Sequence, residues 1–121
     1  MEQFVTYIQS AIEATQKREQ ELISSECKDE ATLQKIRSNV YGICLTVFQV
    51  TSKAKSGEEL REEYLGKLSN IVSSWKTSYE KAKEHNDVEK IVIEETKLEV
   101  YHEVIKAFDE WREKDAGSRS N

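Results

Sequence analysis

LQKIRSNVYGICLTVFQVTSKAKSGEEL, residues 33–60, decides the fold class of this chain. Within it Leu33, Ile36, Val40, Ile43, Val47, Val50 and Ala54 recur at alternating steps of three and four, the spacing of an apolar seam along an α-helix. The seam halts at Ser56-Gly57-Glu58-Glu59. Gly57 can take the left-handed conformation that ends one helix, and Ser56 with Glu59 matches a capping box that would open the next. Lys53 and Lys55 before this turn, and Glu58 and Glu59 after it, complement the two helix dipoles.

Three more series of the same period surround it. Phe4, Ile8, Ala11, Ile12, Thr15 and Leu22 form the first, which stops in the polar run from Ser24 to Glu30, where Ser25 or Asp29 is expected to cap the following helix. Leu60, Tyr64, Leu68, Ile71, Trp75, Tyr79 and Ala82 form the third, closed at His85-Asn86-Asp87 by Asn86, with Asp87 as the next cap. The fourth runs from Val88 to about Lys114 through Ile91, Leu98, Tyr101, Ile105 and Phe108. Four helices of similar length, roughly 33–42 Å each, joined by short turns, predict an all-α, antiparallel four-helix bundle. The bundle is expected to occupy residues 1–115 as one domain, with residues 116–121 as a flexible polar tail.

Composition agrees with this reading. The 121 residues include no proline and four glycines, and charged residues (34%) nearly balance hydrophobic ones (37%), as amphipathic helices require. The net charge is −5, and the 18 basic residues are interleaved with acids. No stripe that could track phosphates results, so neither nucleic acid nor an anionic membrane is expected as a partner. No segment approaches the ~20 apolar residues of a membrane span, and Met1-Glu2-Gln3-Phe4-Val5 lacks the features of a signal peptide, which makes the cytoplasm the expected location. Cys44 lies in the most apolar stretch and is expected in the core; Cys27 lies in a polar connection, and no disulfide is expected.

The width of the apolar faces points toward function. Projected at about 100° per residue, the third helix is apolar over ~140°, which one bundle core absorbs. The second is apolar over roughly 220° and the fourth over about 200°. Such excess surface calls for a cover. A homodimer, or another helical protein, is the expected partner, with Tyr41, Leu45 and Phe48 on the second helix and Ile93, Val100, Val104 and Trp111 on the fourth as interface anchors. The competing arrangement is a thick monomer core in which both helices contact both neighbours. The function expected on this basis is a non-catalytic protein–protein interaction module with no cofactor, metal or catalytic residue; a bundle holding a hydrophobic ligand is one alternative.

An enzymatic alternative comes from Glu58-Glu59-Leu60-Arg61-Glu62 followed by Glu84-His85-Asn86-Asp87. The pair resembles the EExxE…ExxD pattern of the all-α nucleotide pyrophosphohydrolases of MazG type. The resemblance implies that Glu58, Glu59, Glu62, Glu84 and Asp87 hold Mg²⁺ against a nucleotide's phosphates. Such a site requires a chain reversal near Ser69-Asn70 or Ser73-Ser74, whereas Glu63 to Lys83 reads as one helix that would hold the halves ~30 Å apart. Glu99 and His102 form a single Glu-x-x-His step of the kind found in di-iron bundles, without the second step such sites need.

Overall fold

The computed structural model describes the backbone of residues 1–120 and the side chains of residues 1–115; the tail expected over 116–121 lies outside those described side chains. Four helices follow one another: α1 Glu2–Ser24, α2 Lys28–Ala54, α3 Gly57–Glu84 and α4 Val88–Ser120. The described residues include no strand.

The turn after α1 and the turn after α3 are built alike. Glu26 and Asn86 each take a positive φ, 63° and 52°. In the first turn the Cys27 N–H donates to the Leu22 carbonyl at 2.8 Å and the Glu26 N–H to Ile23 at 3.1 Å. In the second, Asp87 donates to Ala82 at 2.9 Å and Asn86 to Lys83 at 3.2 Å. This pair of bonds satisfies the last carbonyls of a helix around one left-handed residue. Asn86 closes α3 as its residue type suggests, and the Asp87 carboxylate caps α4 by accepting the Lys90 N–H at 3.2 Å. Two expected caps differ. The residue before α2 is Cys27, not Ser25 or Asp29, because the left-handed turn at Glu26 consumes Ser25 as the end of α1. Ser56 precedes α3 but its side chain makes no capping bond, and Glu59 instead faces Lys55 at 3.8 Å. Gly57 does take the left-handed conformation, at φ 58°, but as the first residue of α3; α2 ends at Ala54, followed by Lys55 in an extended conformation.

α1 packs closely on α2, and α3 on α4; α2 and α4 also lie directly against each other across the bundle. Each of these two therefore touches all three other helices, while α1 and α3 flank them. Cross-helix pairs fix the registers: Met1 with Asp115, Tyr7 with Glu103, Glu58 with Arg112, Arg61 with Asp109, and Tyr79 with Glu95. Between α2 and α4, Arg37 meets Glu99 and Tyr41 meets Glu103.

The core centres on one aromatic ring from each helix. Phe4, Phe48, Tyr64 and Phe108 are all buried, and all six pairs among them have ring centroids 5.0–6.2 Å apart. Most meet edge to face, the arrangement the ring quadrupoles favour. The buried Tyr64 hydroxyl donates to the Cys44 carbonyl at 2.9 Å, so burial leaves that polar group satisfied.

α2 is rotated relative to its most regular seam. Val40, Tyr41, Cys44, Phe48 and Thr51 turn inward and are buried, whereas Ile43 and Val47 are half-buried and Val50 is 57% exposed. α4 shows the same exchange: Val100, Val104 and Phe108 are fully buried, and Ile91, Leu98, Tyr101 and Ile105 form the flanks.

Candidate protein-contact surfaces

The seven expected anchors divide into two groups. Tyr41, Phe48, Val100 and Val104 lie within the core of a single chain, so they have no surface to offer a second one. The reason is the direct α2–α4 contact: the broad apolar arcs of these helices largely cover each other. Leu45, Ile93 and Trp111 remain half-buried at the edge of the core. Trp111 lines a shallow groove with Tyr7, Thr6 and Glu2, and the Lys114 ammonium sits 4.4 Å from its ring centroid.

Ile93 belongs to a groove at one end of the bundle. The first turns of α2 and α4 lie side by side, and Leu33, Val88, Val92 and Ile93 line a depression of about 520 Å³ between them, with Asp29 and Glu89 at its rim. Val88 is 70% exposed and Val92 40%. At this end Val88 and Val92 are left largely uncovered by the described residues. No protein-family model, curated protein or solved structure matches this chain. Its functional surfaces are therefore assigned from its own chemistry.

Two polar features escaped the sequence pattern. The Tyr7 and Tyr41 hydroxyls both donate to the same Glu103 oxygen, Tyr7 at 2.6 Å, tying α1 and α2 to α4. Burial pushes both phenols well above their usual range, and the Glu103 carboxylate adds to the shift because a tyrosinate beside it would be repelled. Glu94 is the second: it is buried, pairs with Lys97 at 3.2 Å through one oxygen, and its other oxygen has no hydrogen-bond partner among the described residues. Periodicity alone does not flag Glu103, which stands on what reads as the polar rim of the fourth helix; Glu94 lies on the apolar side, three residues from Ile91 and four from Leu98, where a charge is the signal that could reveal it.

Cys44 is buried as expected, and burial pushes its thiol up to about 12, so it stays protonated and unreactive near neutral pH. Cys27 is exposed, and both cysteines are free.

The acidic pattern is not assembled. α3 is one unbroken helix, and Ser73 and Ser74 donate back to the Asn70 and Ile71 carbonyls of that same helix. Glu62 and Glu84 consequently lie ~33 Å apart along its axis. Glu58 pairs with Arg112 and Glu59 with Lys55. Glu99 is paired with Arg37 rather than with His102, whose ring lies beside Tyr101. Among the described residues no three His, Cys, Asp or Glu side chains are grouped to hold a metal ion, and no helix is long and apolar enough to cross a membrane.

Proposed function

We propose that this chain is a non-catalytic protein–protein interaction module, an antiparallel four-helix bundle that binds helices of other chains, its own copies included. The antiparallel reading is supported by the cross-helix pairs. Residue numbers rise on one helix as they fall on the other for α1 with α4 (Met1–Asp115, Tyr7–Glu103) and for α3 with α4 (Glu58–Arg112, Tyr79–Glu95).

The observation that carries the function is the apolar groove between the first turns of α2 and α4. Its floor of Leu33, Val92 and Ile93 suits the apolar stripe of a docked helix, which engages such grooves through side chains at i, i+3 and i+4. Asp29 and Glu89 on the rim suit basic flanks on that helix. A synthetic amphipathic helix with leucines on one face and lysines beside them tests this. Its titration is expected to shift the methyl NMR signals of Leu33, Val88, Val92 and Ile93 first. Val92→Asp should abolish the binding, and a glutamate-flanked version of the peptide should bind at least about tenfold more weakly. Shifts spread evenly over the bundle, or equal binding of both peptides, would refute the groove as a docking site.

A further inference from the structure

Fifteen consecutive residues, Ser38–Ser52, carry no charge in a chain of which 34% is charged. Part of this run faces the core, but Asn39, Thr46, Gln49, Val50 and Ser52 are exposed, and Gly42, Ile43 and Val47 are half-buried. The outer face of α2 is thus neutral and partly apolar, and it includes Ile43, Val50 and the outer side of Val47, whose other side packs on the core. Solubility of a lone bundle does not require such a face.

The shape of the face is specific. Ser38, Gly42 and Thr46 follow one another at steps of four and form a low row. Asn39, Ile43 and Val47 form the adjacent, higher row. Both rows line the same groove of about 620 Å³, whose far wall is Ile12 and Gln16 of α1. A Cβ added at Gly42 would meet no atom within 4 Å, so the floor is open to an incoming helix. A ridge of i±4 side chains beside a matching furrow is the element of helix packing at about −50°, and small residues in the furrow allow close approach.

We propose that this face, centred on Gly42, is where a second copy of the chain docks. The surface is complementary to itself: the Asn39–Ile43–Val47 ridge of each copy fits the Ser38–Gly42–Thr46 furrow of the other, as a two-fold contact requires. Charge selects the same occupant. A strongly charged partner finds no complement on the α2 part of this face, whereas two copies, each of net charge −5, can meet through the uncharged Ser38–Ser52 runs. The contact is small. The neutral run spans about 22 Å, and a face two helices wide covers about 440 Å² per copy, which falls in the class of weak, reversible interfaces. A dissociation constant of about 10–100 μM is therefore expected.

This inference extends the interaction-module reading, and sedimentation equilibrium separates the two. Wild type, Gly42→Glu and Val92→Asp are compared from low micromolar to roughly 500 μM. Wild type is expected to dimerise. Gly42→Glu should weaken the dimer at least about tenfold, because it sets two carboxylates together at the two-fold axis. The same substitution should leave the low-concentration melting temperature unchanged or raised, since it replaces a helical glycine where space is open. Val92→Asp should dimerise like wild type. Gly42→Glu dimerising as wild type does, or wild type staying monomeric throughout, overturns the proposal. A dimer lost in Val92→Asp but kept in Gly42→Glu also overturns it, by placing the second copy in the end groove and leaving the module reading intact.

Discussion

Truncating Phe108 to alanine puts the four-ring core to a direct test. Phe108 is fully buried and meets Phe4 at 5.3 Å, Phe48 at 6.1 Å and Tyr64 at 5.0 Å between ring centroids, so its loss removes half of the six ring pairs. A buried Phe→Ala change costs about 3–5 kcal/mol from lost transfer energy and the cavity left behind. A domain of this length has about 5–15 kcal/mol in total. Its unfolding entropy of ~0.25 kcal/mol/K makes a 4 kcal/mol loss equivalent to a fall of about 16 °C in melting temperature. Urea unfolding followed by circular dichroism, at low protein concentration so that association adds nothing, gives the free energy. A cycle of Phe4→Leu and Phe108→Leu isolates the ring–ring part, expected at about 0.5–1.5 kcal/mol of coupling. A loss under about 1.5 kcal/mol in Phe108→Ala, together with coupling indistinguishable from zero, would show that the rings are neighbours without being a joint core.

Three other substitutions follow from the same coordinates. Glu94→Met removes a buried carboxylate with one unpartnered oxygen and is expected to stabilise the fold by about 1–2 kcal/mol in urea unfolding; a loss of similar size would show that Glu94 is satisfied in solution. Glu26→Gly relieves a non-glycine residue at φ 63° and should add about 1 kcal/mol, while Asn86→Gly, at a residue type that tolerates this conformation, should add only a few tenths. Alkaline stability should fall because of Cys44. Its thiol has a raised pKa of about 12 in the fold, so above about pH 9 the unfolded chain releases a proton that the folded chain keeps. Stability should be flat with respect to this group below about pH 8 and drop by roughly 2 kcal/mol by pH 10.5, with a shallower decline in Cys44→Ala. A thiol reagent at pH 8 should accordingly modify Cys27 alone in the native chain.

The sequence by itself determined the four helices and the turns between them, though α4 runs to Ser120 rather than to about Lys114. Period-3.6 apolar series need only local geometry, and Gly57, Asn86 and Asp87 mark boundaries by conformational or capping preferences that act within a few residues. It also showed that the second and fourth helices carry broader apolar arcs than the third, with half-buried Ile93 among the members of the fourth. Tertiary structure decided which half of each broad arc turns inward. An arc of about 200° has no single preferred centre, so Tyr41, Phe48, Val100 and Val104 could be core or interface until α2 and α4 were seen to lie against each other. The same packing left Ile43 half-buried and Val50 exposed, so that part of the regular seam faces outward. It also buried Glu94, and it gathered Tyr7 and Tyr41 on Glu103 through contacts that join residues 96 and 62 positions apart, beyond the reach of any local rule.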